Sequence, residues 1–430
     1  MRILEEPSVA LSDLSSEELS AFVEEQRAAY EQYVAAGLSL DLTRGKPSAE
    51  QLDLSERLLS LPEGHTSADG TDVRNYGGLA GLPELRALFA ELLGVEPGQI
   101  IAGGNSSLTL MSDTLVHLLL HGGVDSEGPW AGQGTMRFIC PVPGYDRHFA
   151  LLESLGIEMV TVPMNADGPD VAAVKELVKD PSVKGMWLVP TYGNPSGITC
   201  SQEVAAELAG METAAPDFKI LWDNAYALHH LTDTEVKSAD ILSLASASGH
   251  PHRPVVFAST SKITFAGAGV AFLAGSTETV KWFTGHLGKS SIGPDKVNHL
   301  RHMQFFGDAN GVRAHMAKHR AIIKPKFDAV DEILTDDLAA HEVATWTRPE
   351  GGYFVSLDVL PGTAARVVEL AKAAGVALTP AGASFPHGKD PQDTNIRLAP
   401  TLPPLSEVRD AMAVVTTCVL LAAAERVTAS

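Results

Sequence analysis

Cysteine, basic charge and long apolar runs are scarce in this sequence. The 430 residues include only three cysteines, Cys140, Cys200 and Cys418, and no CxxC pair. A disulfide framework or a structural zinc ribbon is therefore not expected, and a reducing, cytoplasmic setting fits. Lysine and arginine number 32 against 53 aspartates and glutamates, for a formal net charge of −21. Nucleic acid and anionic membrane surfaces call for clustered cations, so neither is an expected partner. The N-terminal stretch MRILEEPSVALSDLSSEELS is acidic, with no basic start and no apolar centre, and does not read as a secretory signal. No uninterrupted run reaches the ~18 apolar residues of a membrane span. The apolar tail at 411–424 is shorter and reads as a docking helix.

The chain does carry a 45% hydrophobic fraction with 20% charged residues, enough for a large core and two domains. Short apolar runs at 99–102, 138–140, 158–162, 185–189, 219–222 and 255–258 alternate with helical stretches. Runs of that kind predict a mostly parallel sheet buried on both faces. The run at 270–274 follows too closely for a crossover helix, so one antiparallel strand is expected. Helices are predicted at 14–33, 82–93 and from the Ser107 region through Leu120, with a long one at 318–334. Strands at 351–357, 376–378 and 395–398 around a helix at 363–374 predict a smaller α+β domain. The expected division is an N-terminal arm joined to the small domain (1–50), a large domain (51–315) and a small C-terminal domain (316–430).

Three short motifs carry the chemistry, in one order. Lys262 ends Ser259-Thr260-Ser261-Lys262, just past the run 255–258, where open α/β sheets bind ligands. An ordinary lysine has a pKa of about 10.4, and desolvation can free its amine to condense with an aldehyde. Asp223, after the run 219–222, can hold a pyridine nitrogen protonated, and Tyr226 three residues on can reach a ring hydroxyl. Asn194, in Asn194-Pro195-Ser196-Gly197, can donate to the same oxygen. Alone, each reads equally as an exposed loop lysine, a helix-capping aspartate or a plain turn. Together they match the needs of pyridoxal phosphate. Gly103-Gly104-Asn105-Ser106-Ser107 joins a strand to a helix, and Asn105, Ser106 and Ser107 are candidate phosphate ligands at its positive N-terminus. Ser259 and Tyr76 are further candidate phosphate donors, and Tyr145 is a candidate for stacking on the ring. Arg397, in an apolar strand, needs an anion: a substrate carboxylate or a protein carboxylate.

With these residues in place, the chain resembles the fold-type I pyridoxal-phosphate aminotransferases of class I/II. The resemblance spans Gly45-Lys46-Pro47, Tyr76-Gly77-Gly78-Leu79, the Asn194 turn, Asp223-x-x-Tyr226, Ser259-x-Ser261-Lys262, Gly351-Gly352-Tyr353-Phe354 and Arg397. LDLTRGKPS, CPVPGYDRHF, STSKITFAGAGVAF and SIGPDKVNHLRH are similar to a bacterial subgroup grouped with MocR-type aminotransferases, which includes aspartate aminotransferases. The resemblance implies pyridoxal 5′-phosphate as cofactor and amino acid and 2-oxo acid substrates, most directly L-aspartate with 2-oxoglutarate. It implies Arg397, Gly45 and Asn194 at the substrate. It further implies a homodimer with shared active sites, in which Tyr76 reaches the partner's cofactor phosphate. The chain departs from the family pattern after Lys262, where residues 263–270 contain no phosphate-binding arginine. Arg44, Lys46, Lys289 and Lys296 all remain candidates for a substrate's distal carboxylate. Other pyridoxal-phosphate reactions, such as β-elimination or decarboxylation, share the same residue set. A ligand-sensing module of this fold would need a basic DNA-binding domain, and before Leu40 there is room only for a short acidic helix. Leu287-Gly288-Lys289-Ser290 resembles the end of a P-loop, but residue 283 is Phe where glycine is required.

Overall fold

The computed structural model describes residues 10–429. Its centre is an eight-stranded sheet whose spatial order is Ile100–Ala102, Ala271–Ala274, Pro254–Ser259, Lys219–Asp223, Val183–Leu188, Arg137–Val142, Glu158–Asn165 and Gly168–Pro169. The pairings from Pro254–Ser259 through Glu158–Asn165 are parallel. Ala271–Ala274 runs antiparallel to both of its neighbours, as the short connection after Lys262 requires.

Successive residues of the central strands enter different cores. Ile220, Trp222, Val256 and Ala258 belong to one apolar cluster, and Leu221, Val255 and Phe257 to another. The strand pleat alternates side chains between faces, so a sheet covered on both sides demands an unbroken apolar run. The strands therefore end together at one edge of the sheet, where Asp223 and the segment after Ser259 emerge.

A third cluster joins the chain ends. Leu40–Asp41 pairs in parallel with Val376–Ala377, and Ala344–Trp346, Val355–Val359 and Asn395–Leu398 form an antiparallel sheet. The helix Ala309–Leu338 links the two regions. Its first turns (Ala309, Val312, Met316) pack on the large-sheet core, and its later turns (Ile323, Phe327, Val330, Leu334) pack in the third cluster.

Several elements differ from the sequence expectation. The long helix begins nine residues earlier than 318, because the Asp308 side chain accepts from Gly311 N and caps it there. The strand expected from 351 starts at Val355, since Gly351 and Gly352 form a turn pressed against Tyr192, with Gly352 at φ 85°. Residues 287–290, which resemble the end of a P-loop in sequence, are helical. Thr277–Ser290 is capped by Ser276 and anchored by buried Val280 and Phe283. Lys289 and Ser290 therefore lie on a helix and not in a strand-to-helix phosphate loop. The apolar tail is a 24-residue helix, Leu405–Thr428, longer than expected and with a mean hydropathy of 1.5 in its most apolar window. That length and composition match a membrane span, but 67% of the window is buried against the rest of the chain.

Candidate functional site

The sheet edge opens onto a cavity of about 480 Å³ lined by Arg44, Gly45, Tyr145, Asn194, Tyr226, Lys262, Phe354 and Arg397, among others. A larger groove of about 770 Å³ lies near Glu127 and Asp217. Its buried carboxylate is already satisfied, with Asp217 accepting from Ser126, Trp130 and Lys184 at 2.7, 2.8 and 3.0 Å. The smaller cavity is the one with chemically available groups.

Lys262 follows the strand Pro254–Ser259 and its ammonium lies 5.1 Å from the centre of the Tyr226 ring. Desolvation pulls its pKa below the ordinary 10.5, opposed by the Asp223 charge. The backbone beneath it is held by Tyr353, whose hydroxyl donates to Lys262 O at 3.3 Å. Burial, with Tyr145 and Asp223 adding to it, pushes the Tyr226 phenol well above its ordinary value. The Tyr145 phenol is pushed up to about 12, again mainly by burial. Both phenols therefore stay protonated and can donate.

Asp223 is the last residue of its strand and is buried. Oδ2 accepts from His148 Nε2 at 2.9 Å, and the imidazole stacks on Trp187 with centroids 4.1 Å apart and planes 8° apart. The other oxygen, Oδ1, is buried without a partner. An orphaned buried carboxylate oxygen is costly unless something occupies it. A protonated pyridine nitrogen would satisfy it, so the donor set fits pyridoxal phosphate. His148 escaped the sequence reading. The only signal was its place in the first turn of the helix Asp146–Ser154, directly after the Pro-rich turn carrying Tyr145.

Arg397 sits in the strand Asn395–Leu398, paired to Ser356 across the sheet. In the structure it meets a protein carboxylate, one of the two partners left open by the sequence: Nη1 is 2.8 Å from Asp146 Oδ1 and 3.4 Å from Asn194 Oδ1. Nη2 makes only a 3.5 Å contact with Thr379, and Nε has no partner. The guanidinium lies 5.2 Å from the Phe354 ring centre. A Cβ on Gly45 would run into that ring, so glycine is required for the close approach. Asp146 and Phe354 stood in motifs of the resemblance but were given no role, because their roles depend on a residue some 250 and 40 positions away.

At the other end, Ser106 caps the helix Ser107–His121, its hydroxyl accepting from Thr109 N at 3.3 Å. Asn105 Nδ2 donates to Gly267 O at 3.1 Å, and Ser261 Oγ donates to Asn105 O at 3.3 Å, which ties this loop to the one bearing Lys262. Ser259 Oγ accepts from Ser261 N at 3.4 Å. The stretch lacking the family arginine is held by a neutral side chain: Asn298 Nδ2 donates to Ala268 O and Gly269 O at 3.0 and 2.9 Å. His299 Nε2 meets Gly103 O at 2.8 Å.

Tyr76 is 82% exposed and does not line the cavity of its own chain. Its loop is pinned by Lys296, whose Nζ donates to Asn75 O and Gly77 O at 2.8 and 2.7 Å. Lys296 is therefore committed to holding the loop, which corrects its expected candidacy for a distal carboxylate. Lys289 is exposed on its helix and outside the cavity lining. Arg44 and Lys46 line the cavity, together with Arg147, which the sequence reading had passed over.

A family model described as aspartate amino-transferase matches residues 14–430. An aspartate aminotransferase of Corynebacterium glutamicum is 55% identical over 420 residues, 97% of this chain and 97% of that protein. A solved aspartate transaminase from C. glutamicum matches with a TM-score of 0.96 and 55% identity, covering 97% of this chain and 99% of that one. An α-aminoadipate aminotransferase of Thermus thermophilus, solved with N-(5′-phosphopyridoxyl)-L-leucine, shares the fold at a TM-score of 0.72 and 21% identity, covering 95% of this chain and 100% of that one. With the model match spanning nearly every residue, the chain belongs to the aspartate aminotransferase family.

Proposed function

We propose that this chain is a pyridoxal-phosphate-dependent transaminase that moves the amino group of L-aspartate to 2-oxoglutarate, giving oxaloacetate and L-glutamate. The observation that carries this reading is the convergence of Lys262, Tyr145, Asn194, Tyr226 and Arg397 on one cavity, with Asp223 behind it presenting an unpartnered oxygen. When bound, the cofactor supplies an aldehyde and a ring that draws electrons from the substrate's Cα.

The desolvated Lys262 amine would hold the cofactor's aldehyde end and is placed to move a proton at the substrate Cα. Asp223, held by His148, would face the ring nitrogen with its unpartnered oxygen. Asn194 and Tyr226 orient the ring oxygen, and Tyr145 covers a ring face. Asn105, Ser106, Ser107 and Ser259 would bind the phosphate through hydroxyls, amides and a helix N-terminus. Arg397, with Gly45 leaving room and Asn194 alongside, holds the α-carboxylate. Arg44, Lys46 and Arg147 give the cavity mouth a positive field in a chain of net charge −21, which favours a dicarboxylic substrate. The exposed Tyr76 supports a homodimer in which that residue completes the partner's phosphate site. A cytoplasmic enzyme with a large domain over 51–315 and a small domain built from 1–50 and 316–430 completes the reading.

The test is a set of half-reactions on the cofactor-loaded protein, following its visible absorbance. L-aspartate and L-glutamate should bleach the band rapidly, and oxaloacetate should restore it. Faster reaction with aromatic or branched amino acids would overturn the substrate assignment. A protein that takes up no pyridoxal phosphate would overturn the whole reading.

A further inference from the structure

Far from the cofactor cavity, three histidines meet between two helices. His117 and His121 are one turn apart on the helix Ser107–His121, and His286 comes from Thr277–Ser290. One ligand nitrogen from each lies within 4.8 Å of the others. The cluster is at the opposite end of its helix from the phosphate loop, about 15–20 Å away by helix rise. We propose that His117, His121 and His286 form a binding site for a divalent transition-metal ion of the zinc, nickel or copper type.

An i, i+4 histidine pair presents two nitrogens on one helix face, and a third from a crossing helix completes a three-nitrogen donor set. Imidazole donors suit zinc, copper and nickel, whereas calcium and magnesium prefer oxygen. The rings pack against one another and against Trp282 and Phe283. The His121 and His286 rings lie 4.4 Å apart at 4°, and His117 and His286 lie 4.9 Å apart at 29°. Burial first, then His286 and His121, pushes His117 down to about 4. His286 Nδ1 is buried with no hydrogen-bond partner among the described residues.

The wall is rigid, since Trp282 Nε1 donates to Gly122 O at 2.9 Å and pins one helix to the end of the other. The negative end of the Ser107–His121 helix dipole favours a cation there. Lys289, a cation acting on His286, is exposed. Metal–nitrogen bonds of about 2.0–2.1 Å require the nitrogens to draw closer than they are. His121 is exposed, so a fourth position is open to water.

The experiment uses the full, cofactor-loaded chain, stripped with a chelator and titrated with zinc chloride by calorimetry and metal analysis. One zinc per chain is expected, with a zinc-dependent rise in the thermal midpoint. His121→Ala, an exposed substitution that leaves transaminase activity unchanged, should weaken binding by at least roughly tenfold and abolish the midpoint shift; His286→Ala should do the same. Failure of the wild-type chain to retain zinc would overturn the proposal, as would undiminished binding by His121→Ala.

Discussion

Replacing Arg397 with lysine isolates the guanidinium fork from its charge. The protein uses only part of the donor capacity of Arg397: Nη1 is engaged by Asp146 at 2.8 Å, Nη2 has a 3.5 Å contact, and Nε has none. A planar guanidinium gives a carboxylate two parallel charge-assisted hydrogen bonds, whereas an ammonium of the same charge gives one. Such bonds contribute about 1.5–3 kcal/mol each. Losing one therefore lowers kcat/KM for L-aspartate by roughly 10- to 150-fold. Global stability should change much less. The Asp146 side chain is 37% exposed, so solvent takes up its charge when its partner withdraws. Single-turnover bleaching of the cofactor band by L-aspartate measures the effect, and urea denaturation provides the stability control. An amino compound lacking the α-carboxylate should react equally with both proteins. A loss smaller than threefold with L-aspartate, or the same loss with the carboxylate-free amine, would refute the assignment of Arg397 to the α-carboxylate.

Three further outcomes follow from the same structure. His148→Leu removes the donor 2.9 Å from Asp223 Oδ2, leaving a buried carboxylate with no protein partner on either oxygen. Kcat should fall by roughly 10- to 100-fold with little change in KM, corresponding to about 1–3 kcal/mol for the unmade bond; unchanged kcat would contradict its support of Asp223. Burial holds His302 and His319 down to about 4 and His229 to about 3, below the ordinary 6.5. Between pH 6.5 and about 4 the unfolded chain thus binds protons that the folded chain refuses, and stability is lost as pH falls through that window. The urea midpoint should drop from pH 7 to pH 5, by up to about 2 kcal/mol per histidine. An unchanged midpoint would show that these side chains are not held neutral. Lys296→Met frees Asn75 O and Gly77 O and loosens the Tyr76 loop. Titration of activity with added pyridoxal phosphate should show weaker cofactor binding, with kcat recovered at saturation. Unaltered cofactor affinity would separate that loop from the cofactor.

The central sheet was legible because two-sided burial leaves a distinctive trace. Residues 219–222 and 255–258 are apolar without interruption, since consecutive residues face two different cores. The antiparallel strand after Lys262 was legible from connection length alone. Helix starts were less so. The cap at Asp308 looks like any exposed aspartate until its contact with Gly311 N is seen, and the glycine- and serine-containing residues near 288 disguise a helix held by Phe283.

By itself, the amino-acid sequence pointed to the chemistry proposed for the site. Lys262, Asp223 and Asn194 each stand in a short local motif whose residue types suit one cofactor, and Arg397 in one that suits a carboxylate. The tertiary structure decided how those groups are held. His148 supports Asp223 from 75 positions away, Asp146 meets Arg397 across 251, and Lys296 is spent on the Tyr76 loop 219 and 221 positions back. Local motifs survive in a linear reading because their function needs a fixed backbone turn. Long-range partners need only arrive in the right place, and sequence distance carries no trace of that.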